Sequence, residues 1–160
     1  MKRERIAELL PTVFRRALPH SPPLAAVLGV MEAMHGPSEN ALAHFGDALN
    51  PRTAPDRFVP FLASWTGLDF VSEGATPIDL SRLRELIAMS SILAKWRGTA
   101  TGLILFVEIA TGLRGFSVEE PRPFHFVLRA PLAALPWQEL IERIVATEKP
   151  AYVTSDVVYG

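Results

Sequence analysis

The 160-residue chain contains no cysteine. Disulfide stapling, thiolate catalysis and cysteine-based zinc sites are therefore excluded, and the absence fits production inside a cell. Net charge is also nearly missing, because 16 Lys and Arg stand against 17 Asp and Glu for a formal −1. A dedicated nucleic-acid binder carries a marked basic excess, so no nucleic-acid partner is expected. Long apolar runs are absent too. Met1-Lys2-Arg3-Glu4-Arg5-Ile6-Ala7-Glu8 has no apolar h-region, so no signal peptide is expected. The longest nearly apolar stretch, Leu103 to Ala110, is far shorter than a membrane-spanning helix. Neither an internal repeat nor a low-complexity tract occurs.

The chemistry of a reactive centre is equally scarce. The four histidines are His20, His35, His44 and His125. His35, Glu39 and His44 sit near one another in sequence, but Gly36-Pro37 is expected to break the helical register between them, and no His-Glu-x-x-His spacing exists. His125 is expected to point outward from a strand. Lys95-Trp96-Arg97-Gly98-Thr99 lacks the Gly-x4-Gly-Lys-Ser/Thr pattern of a phosphate loop, and no Gly-x-Ser-x-Gly elbow is present. Glu119 and Glu120 are adjacent, so on a strand they point to opposite faces and make a poor acid–base pair. No catalytic, cofactor-binding or metal-ligating residue is assigned.

What the chain does have is apolar surface, 49% of its residues. Ile6, Leu9, Leu10, Val13, Phe14, Ala17 and Leu18 form a helical stripe, restarted or kinked at Pro11. A linker is expected over Pro19 to Pro23. Leu24, Val27, Leu28, Met31 and Met34 then form one amphipathic piece, and Leu42, Phe45 and Leu49 a second, with Gly36-Pro37 interrupting them. Thr53 and Asp56 have capping-box spacing before a short helix holding Phe58, Phe61, Leu62 and Trp65. Gly67-Leu68 reads as a left-handed stop with an apolar residue folding back. Thr76-Pro77-Ile78-Asp79 repeats the start chemistry for a helix to Lys95, whose second half is apolar or small all round. Thr99 caps a further helix ending before Gly112. Glu108 within it needs a partner if buried, for which Arg84 or Arg97 would serve.

From Gly115 the texture changes. Phe116 to Glu119 and Phe124 to Arg129 read as strands separated by a turn at Pro121-Arg122-Pro123. A helix follows with Trp137, Leu140, Ile141, Ile144 and Val145 on one face, ending at Lys149-Pro150, and Ala151 to Tyr159 is β-rich. If the strands flanking that helix pair with each other, they do so in parallel. The expected class is α+β, mostly helical. A helical wedge or bundle region over 1–113 precedes a small β-β-α-β subdomain over 114–160.

Two runs carry most information. Trp65 and Gly67 close the first, and Arg97, Gly98, Thr99 and Gly102 form the second; both are suited to setting angles between packed helices. A helix-turn-helix DNA-binding module is the rival reading, since a helix, a short turn at Trp96-Arg97-Gly98 and a second helix share its layout. The would-be recognition helix, Ala100-Thr101-Gly102-Leu103-Ile104-Leu105-Phe106-Val107, has almost no side chains able to read base edges.

These runs also resemble a known family. Asn50 to Leu68 is similar to the pattern of phage tail protein I, a Pro-Thr-x-Pro approach followed by Phe-x-Pro-x-Leu-Ala-x-Trp-x-Gly-Leu. Ile92 to Leu103 resembles its Arg-Gly-Thr-x-x-Gly-Leu turn. Phe124 to Leu128 and Glu148-Lys149-Pro150-Ala151 resemble its closing β-α-β unit, and Leu10-Pro11 its N-terminal Leu-Pro. The resemblance implies a baseplate wedge subunit of a contractile phage tail or tail-like injection particle, assembled in the bacterial cytoplasm. It implies as partners a larger J-like wedge protein, two copies per wedge, and other baseplate and tail subunits, joined through a helical bundle, with no membrane insertion. Leu24, Leu28, Met31, Leu42, Phe45 and Leu49 are the expected partner-interface residues. Two features depart from the family pattern: the Gly36-Pro37 interruption, and the lack of a tryptophan before Arg82.

Overall fold

Proline and helix-capping residues divide the N-terminal third of the chain into its helices. The computed structural model describes residues 3–74 and 78–160; the helix start expected at Thr76-Pro77 lies outside them. Two compact units result, Met1–Asp47 and Ala48–Gly160. The change of texture at 113/114 falls inside the second.

In the first unit, Pro11 separates α1 (Arg3–Glu8) from α2 (Thr12–Ala17). Pro has no N–H to continue a helix and suits its entry, so the stripe restarts there. A single 3-10 turn, Leu18–His20, replaces most of the expected linker, and α3 (Pro22–Ala43) begins at once, capped by the Ser21 hydroxyl accepting from the Leu24 N–H. α1 packs on α3. Arg3 ties them, its backbone N–H donating to Glu32 Oε1 at 3.0 Å and its guanidinium to the Ala25 carbonyl. Among the described residues of this unit, Ile6 and Leu28 are the buried apolar ones.

α3 corrects the sequence expectation. It runs for 22 residues through Gly36 and Pro37 without a break. The carbonyl to which Pro37 cannot donate belongs to Ala33, which is exposed, so it lies open to solvent rather than buried. The departure from the family pattern at Gly36-Pro37 is one of sequence, and the helix is long.

α4 (Phe45–Leu49) leads into the second unit. The cap position before the 3-10 turn Asp56–Phe58 is held by Pro55, two residues after Thr53. Asn50 organises the turn upstream, its carbonyl accepting from the N–H groups of Thr53 and Ala54 and its side chain from Arg52. The 3-10 turn feeds α5 (Val59–Trp65) with Pro60 in the first turn. Arg84 holds this loop, donating to the carbonyls of Pro51 (2.5 Å) and Ala54 (2.7 Å) and to Asp56 Oδ1 (2.6 Å). Arg84 sits on α6 (Leu80–Lys95), which Asp79 caps by accepting from the Ser81 N–H.

α7 (Ala100–Thr111) packs on α6. The sheet follows, in the order β1 (Ser117–Arg122), β2 (His125–Ala130), β3 (Thr154–Tyr159). β1 extends through Pro121, where a turn was expected, with a bulge between Glu119 and Arg122. It pairs antiparallel with β2, while β2 and β3 are parallel across α8 (Gln138–Glu148). The observed class is α+β, mostly helical.

α7 contacts β1 and α8, and α8 contacts β3. Phe106 and Val107 of α7, Leu128 of β2, and Leu140, Ile141 and Ile144 of α8 share one core with Val59 and Leu86. Each such side chain contributes roughly 1.5–3 kcal/mol by leaving water.

Pro37→Ala restores one helical hydrogen bond and removes a ring clash inside α3. It is expected to stabilise the helix by about 3 kcal/mol, seen as slower amide exchange in its C-terminal half. Unchanged exchange there would contradict a continuous α3.

Candidate functional site

The elbow between α6 and α7 is built from backbone. Trp96 closes α6, and Gly98 turns the chain at φ 75°, a left-handed conformation that favours glycine. The Thr99 hydroxyl donates to the Trp96 carbonyl at 2.7 Å and accepts from the Gly102 N–H at 3.1 Å. The first turn of α7 thus folds back over the end of α6. A Cβ on Gly102 would overlap the Trp96 carbonyl, and backbone atoms cannot rotate away as a flexible side chain would.

Arg97 joins this elbow to the end of α8. Its guanidinium donates to the Thr147 carbonyl at 3.3 Å and lies 3.4 Å from Glu148 Oε1. The Glu148 side chain is only 12% exposed. Burial pushes its carboxyl above the usual range, and the opposing pull of the Arg97 charge is the smaller effect. Neither Arg97 nor Arg84 pairs with Glu108, which is half-buried at the edge of α7.

A cavity of about 240 Å³ opens beside the elbow, lined by Thr99, Leu103, Val118, Phe126, Glu148 and Pro150 among others. The elbow and the Glu148-Lys149-Pro150 segment, about 50 positions apart in sequence, meet on this one cavity. Phe124 and Tyr152 stand at it in an edge-to-face pair, 5.7 Å between centroids. Most polar groups here are already engaged. Lys149 Nζ donates to the Val153 carbonyl at 2.7 Å, and Thr99 serves the elbow. His125 lies on the outward face of β2, where its neighbours cover it: its side chain is 10% exposed, with Nδ1 2.8 Å from Thr154 Oγ1 and Nε2 3.5 Å from Asp156. No free nucleophile–base pair is assembled among these groups.

The other sequence-selected residues lie elsewhere. The Gly67 N–H donates to the Ser64 carbonyl and the Leu68 N–H to that of Ala63, closing α5 with Gly67 at φ 69°. Trp65 lies outside the core, its ring 4.6 Å from Phe61, which in turn stacks on Phe58 at 4.8 Å. Of the interface set, Leu28 is buried, Leu24 is half-buried, and Leu49 packs on the second unit's core. Met31, Leu42 and Phe45 are exposed. Val27, Val30 and Met34 are also exposed on α3; the first and third stood in the helical stripe, and Val30 was missed. A DNA-reading role for α7 is physically disfavoured, because Leu103, Phe106, Val107 and Ala110 bury its length in the core.

Two expectations follow. Gly102→Ala should destabilise the chain by about 1–3 kcal/mol through overpacking, more than the roughly 1 kcal/mol of removing the cap in Thr99→Ala, as read by urea unfolding. Because the Glu148 pKa is raised in the folded state, its stabilising contribution is complete below the unfolded value and is lost as pH rises through the folded one. Glu148→Gln should therefore raise the melting temperature at pH 7, with the gain vanishing below about pH 4.

The comparisons with known proteins agree with a part of this kind. No curated protein matches the chain. A family model described as phage tail protein (Tail_P2_I) matches residues 19–151, from the turn before α3 through the elbow to the segment after α8. With most of its length matched in this way, the chain belongs to the phage tail protein family Tail_P2_I.

Proposed function

We propose that the chain is the small wedge subunit of a contractile baseplate, in a phage tail or a tail-like injection particle. It is assembled in the bacterial cytoplasm and joins two copies of a larger J-like wedge protein through α3. The observation that carries this reading is the surface of α3. Projected at about 100° per residue, Val27, Val30, Met31, Met34, Ser38, Ala41 and Leu42 fall on one stripe. Ala26, Ala33, Pro37 and Asn40 extend it on one side, and all of these residues are exposed. The uncharged arc covers roughly 200°, whereas a helix that packs on one neighbour needs an apolar stripe only somewhat over 100° wide. Glu32 and Glu39 fall outside the arc, on the side of Leu28. Met34 and Leu42 are 74% and 73% exposed, so packing inside the first unit does not use this apolar surface. A helix of this kind suits burial between two partner helices.

Coexpression with the larger wedge protein tests the reading. Met34→Glu with Leu42→Glu should abolish co-purification and leave the melting temperature of the free chain unchanged. Retained co-purification would remove α3 as the joint. Leu28→Glu is unsuitable, since Leu28 is 1% exposed and a charge there would disrupt α1–α3 packing.

A further inference from the structure

The two edges of the sheet are not alike. β1 is guarded by Pro121, by the bulge between Glu119 and Arg122, and by the charges of Glu119, Glu120 and Arg122; these are the devices that keep an edge from pairing. β3, Thr-Ser-Asp-Val-Val-Tyr, has no proline and no bulge, and one charge, Asp156. The Thr154 N–H donates to the Phe124 carbonyl and the Gly160 N–H to that of Ala130. Alternation along the strand then directs the backbone groups of Thr154, Asp156 and Val158 at β2. Those of Ser155, Val157 and Tyr159 face away from it. Beyond the β2 ladder, no hydrogen bond among the described residues reaches these outward groups.

Beside that edge runs a groove of about 290 Å³ between β3 and α8. Val145, Ala146 and Val157 supply its apolar lining, and Glu142 and Asp156 bring two carboxylates. The cation of the groove, Lys149, is turned back onto the Val153 carbonyl. An open ladder of backbone donors and acceptors beside an apolar groove between strand and helix is the geometry of strand addition. The carboxylates select a strand bearing Lys or Arg, and disfavour an acidic one.

We propose that the β3 edge accepts an extended, basic-apolar segment of a neighbouring tail subunit as a fourth strand, between β3 and α8. This surface is separate from the α3 joint, and the proposal rests on the chain being a tail component. Residue-resolved amide exchange tests it, on the full chain free at two concentrations and within isolated tail particles. The Val157 and Tyr159 amides should exchange quickly in the free chain and at least about tenfold more slowly in the particle, while Asp156 and Val158 stay slow in both. Fast Val157 and Tyr159 exchange in particles that contain the chain overturns the strand and leaves the wedge reading intact. Absence of the chain from the particles overturns both. Protection in the free chain that grows with concentration identifies a second copy as the occupant and overturns the proposal, as does concentration-independent protection, which means an edge already covered. Glu142→Lys with Asp156→Lys, both at exposed positions, should keep the free chain's melting temperature and lower its incorporation into particles; equal incorporation contradicts the charge selection.

Discussion

The seating of the first turn of α7 on the Trp96 carbonyl is the contact on which the second unit depends. Thr99 makes it by bonding in both directions, and Gly102 permits it by having no side chain. Once α7 is held there, Phe106 and Val107 reach the core shared by α5, α6, α8 and the sheet. Arg97 fastens the same elbow to the end of α8, just before the chain turns into β3. A run of residues that shares the layout of a helix-turn-helix corner in sequence is a joint between packed elements. Its polar groups are consumed by the joint.

The N-terminal unit follows the opposite logic. Among its described residues, Ile6 and Leu28 are buried where α1 packs on α3, and most of the other large apolar side chains are exposed. Leu9, Val13, Val27, Val30, Met34 and Leu42 are all exposed. Exposed apolar surface of this extent is what the proposed joint with other tail subunits draws on. A role as a tail component is in keeping with the family to which the chain belongs.

Much of this was legible in the sequence because it depends on local chemistry. Helical stripes, the strands around α8, the Gly67 stop and the Thr99 cap all rest on residues within a few positions of one another, and the parallel pairing of β2 and β3 follows from the crossover through α8. What was misread or missed shares a cause, which is context outside the local rule. Pro37 takes away a donor for the Ala33 carbonyl and crowds it, but Ala33 is exposed and α3 continues. The Thr53 spacing could not show that Asn50 and Arg84 also hold that loop, because Arg84 comes from about 30 positions away. His125 alternates outward on β2 as expected, and what the sequence did not show is that Thr154 and Asp156 of β3 cover it there. The cavity at the elbow was invisible in the sequence, because its walls lie about 50 positions apart.

The central claim is that α3 is a joint between subunits. An electron-microscopy map of the intact tail, resolved to side chains, tests it most directly. The account predicts Val27, Met31, Met34 and Leu42 in contact with helices of two other chains, with their exposed apolar area buried. A map in which these four side chains face solvent in the assembled particle would contradict it.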